Sequence, residues 1–187
     1  MNEDIKKAVE VLRAGGVILY PTDTVWGIGC DATNADSVSR IFKIKRREES
    51  KSMITLFDST ARVQQYIAKI PDVALDMMEL SDKPLTLILD GAKNLADNLI
   101  AADGTLGVRV TNEEFSRELC ARFRKPIVST SANISGEPTP ATFAEISSEI
   151  IDAMDYVVSF RQNDTIRHKP SSIVRLASNG AVKIIRE

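Results

Sequence analysis

Apolar residues in the first fourteen positions recur at helical spacing, with Ile5, Ala8, Val9 and Leu12 on one stripe. Glu3 and Asp4 occupy the first turn, and Gly15-Gly16 stands just beyond the end. This predicts an amphipathic helix over residues 2–14. Val17 to Tyr20 is a short apolar run halted by Pro21 and reads as a buried strand opening into a loop. From Asp36 the helical period returns through Val38, Ile41 and Phe42, so Lys45 closes a second helix on its apolar side.

Further along, Met53–Phe57 and Leu85–Leu89 read as strands, with helices over 61–70 and 73–80 between them, separated by Pro71. Strict alternation over 105–111 puts Leu106, Val108 and Val110 on one face and Thr105, Gly107 and Arg109 on the other. Thr111-x-x-Glu114 and Thr142-x-x-Glu145 have the form of capping boxes. The first leads into the stripe Phe115, Leu119, Phe123 and the second into Phe143, Ile146, Ile150. Pro126–Val128 is a strand, followed by a Ser-, Thr- and Pro-rich loop over 129–140. Strands are expected at 156–160, 171–176 and 181–186, the last two joined by a turn at Ser178-Asn179-Gly180.

Helices and strands that alternate irregularly, with a strand-rich C-terminus, predict an α/β fold on a mixed twisted sheet. A length of 187 residues suits one domain spanning 1–187. Apolar residues at 43% and charged residues at 27% are ordinary for a globular chain. No run approaches the roughly 18 apolar residues of a membrane span, and the N-terminal Met-Asn-Glu-Asp is unlike a secretory leader, so no membrane partner and a cytoplasmic location are expected. Two cysteines, Cys30 and Cys120, are too few for a disulfide framework or a four-cysteine zinc site and are expected reduced and buried. A net charge of −2 lacks the basic surplus usual in nucleic-acid binders.

Three stretches carry chemistry that no core needs: Pro21-Thr22-Asp23-Thr24, Lys45-Arg46-Arg47 and Ser129-Thr130-Ser131-Ala132-Asn133. On an extended backbone Thr22 with Thr24, Lys45 with Arg47, and Ser131 with Asn133 would each point the same way. Lys45 and Arg47 combine a compact cation with a planar fork, the pair that suits phosphate. Residues 43–51, with Glu48 and Glu49 among them, are equally readable as a solvated mixed-charge helix end. Ser131 and Asn133 suit phosphate or sugar oxygens and also suit an ordinary turn. Arg109, in a Val-flanked strand, requires a partner on its face, either an acid of the protein or a bound anion. His168 is expected in an exposed loop rather than as a base, and Trp26 in packing. No nucleophilic triad can be assembled. Gly-x-Gly-x-x-Gly, P-loop and His-Glu-x-x-His motifs are absent from the sequence.

Taken together, these blocks resemble the YrdC-like, or TsaC, threonylcarbamoyl-AMP synthases. The similarity is carried by Gly15–Gly27, Lys45-Arg46-Arg47, Gly107-Val108-Arg109-Val110, Ser131-Ala132-Asn133, Ser135-Gly136-x-Pro138, Pro170–Val174 and Ile184-Ile185-Arg186. The resemblance implies a single-domain twisted sheet with flanking helices around a large open cavity. It also implies the joining of L-threonine, bicarbonate or CO2, and ATP (with Mg²⁺) into threonylcarbamoyl-AMP and pyrophosphate. That product serves tRNA threonylcarbamoyladenosine synthesis, so tRNA and a downstream transferase are indirect partners. The residues it implies for ATP are Lys45, Arg47, Thr105, Ser131, Asn133, Thr139 and Arg186, with Lys45 and Arg47 catalytic. For threonine it implies Thr24, Arg109, Ser129 and Ser171, and it implies no protein-held metal. An RNA-binding or accessory module on the same scaffold is the alternative. The sequence departs from the family pattern at Arg46 and Glu48, where many relatives have Gly and Pro, at Leu56, near an expected His, and at Arg161–Lys169, which replaces a glycine-rich run.

Overall fold

The computed structural model describes residues 1–48 and 53–187. In chain order the elements are α1 (Asn2–Arg13), β1 (Ile18–Tyr20), β2 (Gly27–Gly29), α2 (Ala35–Ile44), β3 (Ile54–Phe57), α3 (Thr60–Val63), α4 (Asp72–Leu80) and β4 (Leu85–Asp90). They continue with β5 (Thr105–Val110), α5 (Glu114–Phe123), β6 (Ile127–Ser131), α6 (Ser148–Asp152), β7 (Tyr156–Val157), β8 (Ser172–Leu176) and β9 (Val182–Arg186). Among the described residues the nine strands form one sheet ordered β7-β1-β2-β6-β3-β5-β4-β8-β9. The pairs β1/β7, β3/β5 and β4/β8 are parallel and the others antiparallel, so the sheet is mixed as expected. β9 closes one edge with Val182, Ile184 and Ile185 exposed.

The main helices bury the stripes read from their periodicity: Ile5, Ala8, Val9 and Leu12 of α1, Val38, Ile41 and Phe42 of α2, and Phe115, Leu119 and Phe123 of α5. Both cysteines are free and buried in the same core. Several boundaries differ from the sequence reading. β2 went unread because Gly27-Ile28-Gly29 offers a single apolar side chain. The close packing explains its glycines: a Cβ on Gly29 would stand 2.7 Å from the Tyr20 ring and 2.8 Å from the Val128 carbonyl. The expected helix over 61–70 stops at Val63, and the expected strand over 156–160 holds only Tyr156–Val157.

Neither capping box forms as read. The cap of α5 is Glu113, whose carboxylate accepts from the Phe115 and Ser116 amides, while Thr111 shares a hydrogen bond with the Ser116 hydroxyl. Thr142 opens only a 3₁₀ turn, Phe143–Glu145, and α6 is capped instead by Ser147. The side chain that reaches the free amides decides a cap, and here those are Ser147 at α6 and Glu113 at α5. The expected loop at 129–131 is in fact strand, because Ser129, Thr130 and Ser131 are paired to Ile54, Ile28 and Gly27.

The turn after α2 departs most from expectation. Lys45 caps the helix, Arg46 takes φ +48, the Arg46 amide donates to the Lys43 carbonyl and the Arg47 amide to the Phe42 carbonyl. These two bonds with a left-handed residue make a Schellman turn. Lys45 and Arg47 therefore do not alternate on an extended backbone; the turn sends them to different places. Of the mixed-charge stretch 43–51, Glu49 to Lys51 lie outside the described residues.

A left-handed conformation costs an L-residue roughly 1–2 kcal/mol, which glycine avoids at some entropic cost. Arg46 recovers little through its exposed ion pair to Glu149. Arg46→Gly should therefore raise stability by about 0.5–1 kcal/mol in urea titrations. A loss of stability would show that the Arg46 side chain, rather than the backbone, governs this turn.

Candidate functional site

Strand register decides which side chains share the cavity face. Leu56 of β3 lies opposite Arg109 of β5, and Thr86 of β4 lies opposite Ile173 of β8, which lies opposite Arg186 of β9. The β4–β5 register runs through Leu87 opposite Val108, and one residue further it sets Thr86 beside Arg109. One row thus crosses five strands as Leu56, Arg109, Thr86, Ile173 and Arg186. The next row brings Ser129 of β6 to Ile54 and Gly107.

Above these rows is a cavity of about 250 Å³. Its charged lining is Arg47, Arg109 and Arg186, and its hydroxyls come from Thr24, Ser129, Thr130, Ser131, Thr139 and Ser171. No carboxylate contributes to this wall among the described residues. Three guanidinium groups share one hollow whose described lining carries no carboxylate, a setting that favours an anion. Burial pulls Arg47 below the usual arginine range, and burial with the nearby Arg109 charge does the same to Arg186.

Arg109, only 3% exposed, is held from behind. Its Nη2 lies 3.2 Å from Asp23 Oδ1 and its Nη1 donates to Thr24 Oγ1 at 3.4 Å. Thr24 is positioned in turn by the loop after Pro21, where its amide donates to Thr22 Oγ1 and the Thr22 hydroxyl donates to the Val25 carbonyl. The Asp23 contact is an ion pair without a well-aligned hydrogen bond, since Asp23 Oδ1 and Arg109 Nε both lack hydrogen-bond partners. Burial raises Asp23, and Arg109 opposes that rise. The arginine is anchored by the protein's own acid and still has donors to spare.

Of the residues singled out from sequence, the structure brings Thr24, Arg47, Arg109, Ser129, Ser131, Thr139, Ser171 and Arg186 to the cavity. Lys45, Thr105 and Asn133 are not in its lining. Lys45 is 2% exposed, and its ammonium donates to the carbonyls of Ser131 at 2.5 Å and Asn133 at 2.6 Å. The Ser135 amide donates back to the Lys45 carbonyl, so Lys45 clamps the Ser131–Ser135 turn at both ends. The Asn133 amide nitrogen donates to the carbonyls of Ile134 and Glu137 within the same turn. The Thr105 hydroxyl donates to Asp103, away from the cavity.

Trp26, expected only in packing, and Ile173, given no site role, also line the cavity. Trp26 does pack as expected, its ring 4.9 Å from that of Phe143. His168 is half-buried rather than exposed, 3.2 Å from Arg161 Nη2. Leu56, near the expected His, is fully buried beside Arg109.

The Sua5/YciO/YrdC family model, described as "Telomere recombination", matches residues 10–187. The chain is 39% identical over 157 residues to the threonylcarbamoyl-AMP synthase of Pseudoalteromonas translucida, covering 82% of this chain and 84% of that one. Among solved structures it is similar to the H234A/Y235A variant of P. abyssi Sua5, with TM-score 0.87 and 25% identity over 97% of this chain; it spans about half, 52%, of that protein. It is also similar to E. coli YciO, with TM-score 0.86 and 25% identity, covering all of this chain and 90% of the other.

Lys45 provides a direct test of the clamp. Burial, with a smaller push from Arg47, lowers it from 10.5 to about 8. Between those values the unfolded chain binds more protons than the folded one, so stability rises with pH across the window. The stability of the native chain relative to Lys45→Met should therefore increase from pH 8 to pH 10 in denaturant titrations. A difference that stays flat would mean that the ammonium is not desolvated.

Proposed function

Because this chain belongs to the Sua5/YciO/YrdC family, we propose that it is a threonylcarbamoyl-AMP synthase, a nucleotidyltransferase-type enzyme that joins L-threonine, bicarbonate or CO2, and ATP with release of pyrophosphate. The observation that carries this reading is the cavity wall of three arginines and several hydroxyls without a carboxylate. Relatives named for the same activity agree with it.

The threonine amine captures CO2 as a carbamate, whose oxygen attacks the α-phosphorus of ATP as pyrophosphate departs. The carbamate is the nucleophile, so the protein needs none. In this reading Arg109 receives the threonine carboxylate, with Thr24, Ser129 and Ser171 around the amino acid. Arg47 and Arg186 meet the phosphates, where negative charge accumulates in the transition state, with Ser131 and Thr139 as hydrogen-bond donors. Lys45 and Asn133 act through the turn that presents Ser131. Catalysis is then mainly positioning and fixed positive charge.

Mg²⁺ would enter on the nucleotide's phosphates, since the lining offers it hydroxyls and no carboxylate. No cluster of three or more acidic, histidine or cysteine side chains suited to a metal occurs among the described residues. When bound, the ion supplies further charge neutralisation at the phosphates. The threonylcarbamoyl adenylate would pass to a transferase acting on tRNA. No helix among the described residues is long and apolar enough to cross a membrane, and a cytoplasmic site of action accords with the tRNA pathway.

Incubation with ATP, L-threonine and bicarbonate should release pyrophosphate only when threonine is present. Arg109→Lys should raise the KM for threonine roughly 10- to 100-fold, because a bidentate, charge-assisted contact is lost. Arg47→Ala should lower kcat by about 10²–10³. If pyrophosphate release in the native protein is indifferent to threonine, the assignment fails.

A further inference from the structure

Strand β4 carries Thr86 as the one polar side chain among Leu85, Leu87, Ile88 and Leu89, ahead of Asp90 at its end. Thr86 is 1% exposed and lies beneath the cavity rather than on its surface. Its hydroxyl shares a 2.8 Å hydrogen bond with the Ser171 hydroxyl. A buried hydroxyl is costly unless paired, and valine would fill the same space without that cost. The pairing with Ser171 is therefore where the chemistry of Thr86 is expressed.

Ser171 is secured at three points. Thr86 holds its hydroxyl, the Arg186 Nε donates to its carbonyl at 2.9 Å, and the following amide, that of Ser172, donates to the Pro84 carbonyl at 3.1 Å. Ser171 lines the cavity, and the register places Thr86 between Arg109 and Ile173, below the point where the amino-acid and phosphate ends of a ligand would meet.

We infer that Thr86 is a positioning residue that sets the direction of the Ser171 proton. When Thr86 donates to Ser171 Oγ, the Ser171 O–H is left to point into the cavity as a donor toward an anionic oxygen of the amino-acid substrate. The reverse arrangement would turn a lone pair toward that anion, in a wall otherwise built of donors. This inference rests on the synthase reading of the preceding subsection.

The experiment measures steady-state kinetics of the native chain and of Thr86→Val, Thr86→Ser, Ser171→Ala and the Thr86→Val/Ser171→Ala double variant, with thermal melts of each. Thr86→Val should raise the KM for threonine about tenfold and leave the KM for ATP and kcat within about twofold. Thr86→Ser should restore the native value. On the Ser171→Ala background Thr86→Val should add nothing, because its route of action is gone. Should Thr86→Val fail to fold, the comparison of Thr86→Ser with Ser171→Ala carries the test: the serine must behave as native while the alanine loses threonine affinity. Equal losses from Thr86→Val with and without Ser171, or no effect on the threonine KM, overturn the inference while leaving the synthase reading intact. A native protein with no threonine-dependent turnover overturns both.

Discussion

Arg109 is a cation almost wholly withdrawn from water, and the arrangement of the site follows from how that charge is accommodated. A guanidinium in the interior of a sheet is stable only with partners, and the protein supplies them on one side. Asp23 stands 3.2 Å behind and Thr24 accepts a single long hydrogen bond, while Nε has no hydrogen-bond partner. Five donors in a planar fork exceed what these two neighbours can accept. Arg109 also lines a hollow whose other charges are arginines. In the proposed reading, an acid that anchors the guanidinium without saturating it leaves Arg109 able to serve a substrate carboxylate as well.

The sheet converts that local condition into a ligand-sized arrangement. Arg109 on β5 and Arg186 on β9 belong to one register row, three strand steps apart, or roughly 14 Å at about 4.8 Å per step. Both arginines line the cavity, a spacing that in the proposed reading suits a ligand with separated anionic groups, and Thr86 and Ile173 fill the interval. The registers of β5 with β4, β4 with β8 and β8 with β9 set these residues on the same face. A slip of one residue in any of these pairs would send the arginine to the helix-covered side. The polar site and the apolar core are thus specified by the same alternation.

That alternation explains how much could be read from the chain. The face carrying Gly107 and Arg109 was visible because Thr105 to Val110 alternates without interruption, and the helices were visible because their stripes are long. Lys45 and Arg47 were misplaced relative to each other because a left-handed Arg46 breaks the extended path, and a side chain with a Cβ gives no warning of that conformation. Gly27-Ile28-Gly29 was invisible as a strand because its pairing depends on the room its glycines make for Tyr20 and the β6 backbone, which no local period records. Thr86 stood unnoticed in Leu85–Leu89 because its hydroxyl has meaning only beside Ser171, 85 residues later.

The fold itself is shared with proteins as different in extent as P. abyssi Sua5, of which this chain spans about half, and E. coli YciO, which it matches nearly end to end. A common sheet therefore does not decide the chemistry; the side chains of the site do. There the division of labour among cations is informative. Lys45 is withdrawn to hold the carbonyls of Ser131 and Asn133, whereas Arg47, two residues on, enters the cavity. A lysine can be buried because it can lower its pKa, as Lys45 does, to about 8; an arginine keeps its charge. The cations that line the cavity are the ones whose charge is permanent, which accords with the proposed stabilisation of phosphoryl oxygens by fixed electrostatics.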